Sequence, residues 1–111
     1  MSKVTQINES AWEQEVLQAN TPVLVDFFAT WCPPCKILGA TLDSIVDDYT
    51  DKVKIVKINA EEAPGLSVQF GIRTVPTMVL INDSKIVETV SGALPPETIR
   101  QKLDQLASAT V

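Results

Sequence analysis

Histidine is absent from this chain, cysteine occurs only at positions 32 and 35, and aromatic residues make up 5% of it. A structural zinc site wants four ligands, so two cysteines without histidine form at most half of one unless a second copy supplies the rest. Basic residues are in deficit: Lys and Arg number 9 against 14 Asp and Glu, a net charge of −5. That balance speaks against nucleic acid and anionic membranes as partners, since both repel an acidic surface. No apolar run reaches the length of a membrane-spanning helix, and the opening MSKVTQINES lacks the apolar core of a secretory signal. Internal repeats, linkers and low-complexity tracts are missing too. The 111 residues are therefore expected to form one domain, 1–111, with one core. A cytoplasmic, reducing location is the matching expectation, and there a cysteine pair is better explained by chemistry than by stapling.

What is present is the composition of a folded globule, 45% hydrophobic and 21% charged, which argues against disorder. Residues 23–36, VLVDFFATWCPPCK, organise the rest. The stretch 23–29 is apolar apart from Asp26, the pattern of a central strand covered on both faces. It empties into a helix start at a C-x-x-C pair, which reads as a dithiol redox site. Pro34 suits a first helical turn, where its missing N–H would have been unpaired. Cys32 then sits just outside the helix, near the amides of Cys35 and Lys36 and the positive end of the dipole. Both stabilise a thiolate and mark Cys32 as the nucleophile. Cys35, three positions on, is the shielded partner that closes the disulfide. Two inert core cysteines are the bland alternative. The proline pair argues against it, because prolines stiffen the loop that must hold both sulfurs in range.

Along the chain, residues 3–7 have room for a short edge strand. Ser10 to Glu13 has capping-box spacing, ahead of an apolar stripe of Trp12, Val16 and Leu17 that stops at Asn20-Thr21-Pro22. A second helix is expected over 34–49, with Leu38, Leu42, Ile45, Val46 and Tyr49 inward and Asp43, Asp47 and Asp48 in solvent. Residues 53–59 read as a strand and 64–70 as a short helix. Residues 77–81 and 85–90 form a hairpin around Asn82-Asp83-Ser84, with no glycine in the turn. A last amphipathic helix begins at Pro95-Pro96-Glu97, with Ile99, Leu103 and Leu106 inward. This order, β-α-β-α-β-α-β-β-α, implies a three-layer α/β/α sandwich around a mixed sheet.

Asp26, Trp31, Cys32, Pro34, Cys35 and Lys36, then Lys57, the Phe70-Gly71-Ile72-Arg73 stretch leading to Val75-Pro76-Thr77, and Gly92 together resemble the thioredoxin family in order and spacing. The resemblance implies the thioredoxin fold, a central five-stranded mixed sheet in the order first, third, second, fourth, fifth. It implies reduction of protein disulfides by Cys32 attack and Cys35 resolution, with no bound cofactor beyond the redox-active Cys32–Cys35 disulfide. Asp26, a carboxylate in a doubly covered strand, should have a raised pKa from desolvation. Lys57 has the strand parity to offset it. By the resemblance, Asp26 helped by Lys57 exchanges a proton with Cys35. Pro76 would be cis and face the cysteines, with Val75 offering its backbone to a substrate strand. Trp31, Thr74, Val75, Gly92 and Ala93 would surround Cys32 as a landing surface for extended polypeptide, and Trp31, Pro33, Pro34 and Lys36 would form the redox loop. The implied partners are disulfide-containing proteins and an NADPH-dependent flavoprotein reductase, and the implied state is a monomer.

The chain departs from the commoner family pattern at Pro33, where glycine is usual, at Phe28, where tryptophan is usual, and at Ala40, where a kinking proline is usual. Ala60, Thr74 and Ser91 alter the landing surface. Two other classes stay open on sequence: a thiol oxidant or isomerase, and a non-catalytic binding subunit using the same surface.

Overall fold

The computed structural model describes residues 3–109. Five strands form one sheet in the order β1-β3-β2-β4-β5: β1 (Thr5–Ile7), β2 (Val23–Phe28), β3 (Lys54–Asn59), β4 (Thr77–Asn82) and β5 (Lys85–Ser91). The first three strands run parallel, and β4 and β5 antiparallel to their neighbours. This is the mixed sheet and strand order that the family resemblance implies.

Central strand β2 is buried along almost its whole length because each face meets its own apolar layer. Leu24, with Ile55, Met78 and Leu80, packs under helices α1 (Pro33–Ile45) and α3 (Pro96–Ser108), through Leu38, Leu42, Ile45, Ile99, Leu103 and Leu106. Val23, Val25 and Phe27 face the other way. They join Val56, Ile58, Val79 and Ile81 beneath Trp12, Val16 and Leu66, the last from the short helix α2 (Pro64–Gln69). Trp12, Phe27 and Phe70 pack ring against ring, with centroids 5.3 to 6.4 Å apart. Tilted aromatic contacts of this kind add modestly to the area that they bury.

Several local expectations are corrected. The segment after β1 is a 3₁₀ turn, Glu9–Ala11, running into a π turn, Glu13–Leu17. Its cap is Asn8, whose side chain accepts the Ala11 N–H at 3.1 Å, and Ser10 serves that cap by donating to Asn8. The wider π turn changes the helical phase, and Leu17 is left 39% exposed instead of inward. The second helix ends at Ile45 and tightens into a 3₁₀ turn, Val46–Tyr49. Asp43 does not simply face water: its carboxylate accepts the Lys3 and Val4 N–H groups and ties the start of the chain to α1. In the β4–β5 hairpin Asn82 pairs with Lys85, so the turn is Asp83-Ser84, both at positive φ. That is a mirror-image turn made without glycine. Aspartate tolerates this region, and Ser84 Oγ donates to the Leu17 carbonyl, which helps hold the turn in place.

Candidate active site: the Cys32–Cys35 pair and the Asp26 cavity

Helix α1 starts where β2 has just left the sheet, and its first residues explain the cysteine geometry. Pro33 and Pro34 occupy the first two helical positions, where no N–H is needed, and Cys32 is the N-cap in extended conformation. The first available amide is that of Cys35, which donates to Cys32 Sγ at 3.2 Å, and the Lys36 amide bonds the Cys32 carbonyl at 3.3 Å. The two cysteines are joined as a disulfide with Cα atoms 5.2 Å apart. This amide and the positive end of the helix dipole point at the sulfur of Cys32, an arrangement suited to stabilising a thiolate there once the disulfide opens.

The cysteines are equally buried, at 3% and 4% exposure, so exposure does not separate nucleophile from partner. Their surroundings do. Cys32 Sγ lies 3.7 Å from the Val75 carbonyl oxygen, on the side of the loop that ends in a cis Val75–Pro76 peptide. Cys35 lines a cavity of about 440 Å³ together with Asp26, Phe28, Lys57, Lys36 and Asp43. Asp26 is 1% exposed, and its Oδ1 has no hydrogen-bond partner among the described residues. Burial pushes its carboxyl up to about 7, with the Lys57 ammonium pulling in the opposite direction. Asp26 and Lys57 stand side by side in the β2–β3 register, as strand parity requires. The cavity therefore joins the Cys35 side of the disulfide to a carboxyl that titrates near neutrality.

A model of the family described as thioredoxin matches residues 3–105. The chain belongs to the thioredoxin family. It is 42% identical over 105 residues to "Thioredoxin 1" of Synechococcus elongatus, covering 95% of this chain and 98% of that protein. It is 41% identical to "Thioredoxin 1" of Nostoc sp. with the same coverage, and 38% identical over 107 residues to a thioredoxin of Griffithsia pacifica, covering 96% and 98%. A C-x-x-C pair with this fold carries out dithiol–disulfide exchange, so the chain is a thiol–disulfide oxidoreductase whose redox group is the Cys32–Cys35 disulfide. Thioredoxins act on disulfide substrates and are themselves reduced by reductases.

The remaining sequence-selected residues fall around Cys32. Trp31 is 66% exposed, Thr74 and Ala93 are exposed, and Val75 and Gly92 are half-buried. Gly92 adopts φ +96° and donates its N–H to the Pro76 carbonyl at 2.9 Å, which brings the end of β5 against the cis peptide. Val75 precedes the β2–β4 ladder, which starts at Thr77. Pro33 and Pro34 are exposed on the first turn of α1, and Lys36 reaches the cavity wall. Helix α1 continues unbroken through Gly39 and Ala40, and both line the Asp26 cavity.

Sequence reasoning missed Glu61. It sits on a 3₁₀ turn after β3, and its Oε1 accepts the Trp31 indole N–H at 3.1 Å. With Ile72, Arg73, Thr74 and Val75 these two residues line a groove of about 460 Å³ beside the cysteines. Nothing local marks Glu61, because its partner is thirty positions away. The Phe28 contact with Lys57 went unnoticed for the same reason.

Proposed function

We propose that this thioredoxin is a cytoplasmic, monomeric carrier that reduces the disulfides of other proteins. The Cys32 thiolate attacks one sulfur of the target disulfide, and the other sulfur leaves as a thiolate that takes up a proton. Cys35 gives its proton to the Asp26 carboxylate, assisted by Lys57, and attacks Cys32. The Cys32–Cys35 disulfide closes, the second target sulfur departs, and two electrons have moved to the substrate. Trp31, Thr74, Val75, Pro76, Gly92 and Ala93 receive the extended polypeptide around the target cystine, with the Val75 backbone as its main-chain partner. An NADPH-dependent flavoprotein reductase returns the pair to the dithiol.

The observation that carries this assignment is the division of the site: Cys32 lies against Val75, while Cys35 shares a cavity with Asp26 and Lys57. Turnover of insulin disulfides with dithiothreitol as reductant tests it. Cys32→Ser should abolish turnover, and Cys35→Ser should trap a stable mixed disulfide through Cys32. A stable mixed disulfide trapped through Cys35 in Cys32→Ser, with none in Cys35→Ser, would reverse the two roles. Activity surviving in Cys32→Ser would remove Cys32 as the nucleophile, and a parent protein with no turnover above the dithiothreitol background would leave only a binding surface.

A further inference from the structure

One group lining the Asp26 cavity takes no part in the chemistry above. Phe28 lies two residues from Asp26 on β2, so the two side chains leave the same face of the sheet. The parallel register sets Lys57 beside Asp26 and Asn59 beside Phe28. The Lys57 ammonium lies over the Phe28 ring, 5.6 Å from its centroid. Phe28 is itself half-buried and packs on the cluster of Ala29, Cys32 and Cys35, so the ring is held from behind by the redox site. A cation over a ring face is attracted by the ring quadrupole. That attraction helps to restrain a flexible four-carbon side chain with a strongly hydrated head.

We propose that Phe28 is a positioning residue that fixes the Lys57 ammonium at the Asp26 cavity and so sets the field in which Asp26 exchanges its proton. This rests on the reading of Asp26 as the proton partner of Cys35 and extends it to the residue that orients the cation. The charged and titratable groups facing Asp26 are Lys57 from β3 and Lys36, Asp43 and Cys35 from α1, and its β4 neighbour, Met78, is apolar. Lys57 is the cation whose field acts on the carboxyl against its burial. Losing the ring removes one restraint on the ammonium and weakens that field.

The test uses the oxidised protein, in which the cysteines do not titrate, and follows the Asp26 carboxyl carbon by NMR across pH. Phe28→Leu, with Phe28→Met as a second ring-free variant, should move the Asp26 midpoint upward by about half a unit, a shift that a change in one nearby charge readily produces. Phe28→Tyr keeps a ring face and should retain the parent midpoint. In a Lys57→Met background, where the midpoint is already higher, Phe28→Leu should add nothing. An equal upward shift in both backgrounds would mean that the ring acts by packing, and the proposal would fall. A downward shift, no shift, or Phe28→Tyr behaving as Phe28→Leu does would overturn it equally. Resolution of the mixed disulfide by Asp26→Asn separates this from the underlying assignment. Slowed resolution with an unmoved midpoint removes only the role of Phe28, whereas unslowed resolution overturns both.

Discussion

Replacing Asp26 with asparagine should remove the loss of stability with rising pH that this one carboxyl contributes in the parent. In the folded protein the Asp26 carboxyl titrates at about 7, pushed up by burial, against 3.8 as its ordinary value. Between those values the folded state holds a proton that the unfolded state has lost. The contribution to stability is then fully present below the unfolded pKa and is lost as pH rises through the folded one. Each pH unit in that window costs about 1.4 kcal/mol. Over roughly three units the upper bound is about 4 kcal/mol. Hydration of the cavity beside the carboxyl relaxes part of this, and a loss of about 2–4 kcal/mol is expected. Asparagine has a similar shape and no charge to bury, so its own polar cost is the same at every pH. The quantity to measure is therefore the difference between the two proteins. Urea denaturation of both oxidised forms at about pH 4.5, 6 and 8 gives it. Asp26→Asn should be the more stable at pH 8, with most of that advantage gone at pH 4.5. A difference that stayed constant across the three conditions would show that the carboxyl titrates near its ordinary value, and the cavity would lose its place as a proton store for Cys35.

Two further outcomes are expected. Gly92→Ala should lose about 1–2 kcal/mol in urea denaturation, since the added Cβ meets open space and the cost is that of φ +96° for an L side chain alone; an unchanged midpoint would mean that the end of β5 simply relaxes. Pro33→Gly restores an N–H to the first turn beside Cys32, which should lower the thiolate pKa and raise the reduction potential by roughly 10–30 mV against a glutathione buffer; a downward shift would show that loop stiffness outweighs the added amide.

Much of the site was legible because its signals are local. Near-continuous apolarity marks β2 as central, a proline pair after Cys32 marks the start of α1, and Asp26 stands out as the one charge in a doubly covered strand. Capping, proline geometry and side-chain periodicity act over a few residues, so a single chain displays them. The segment between β1 and β2 misled because two cap-like residues, Asn8 and Ser10, lie within one turn of each other. Packing of Trp12 against Phe27 and Phe70 goes with the wider π turn.

By itself, then, the sequence determined where the strands and the longer helices lie, though not the form of the turns after β1, that the two thiols meet at a helix N-terminus, and that a buried carboxylate lies upstream of them. Only the tertiary structure decided what those groups touch. The β2–β3 register aligns Asp26 with Lys57, the α1 crossing encloses both with Cys35, and the loop before β4 brings Val75 and the cis Pro76 to Cys32. Phe28 over Lys57 and Glu61 on Trp31 belong to the same class. Each depends on contacts between segments far apart in the chain, whose energies are small singly and are settled together by close packing of the whole core.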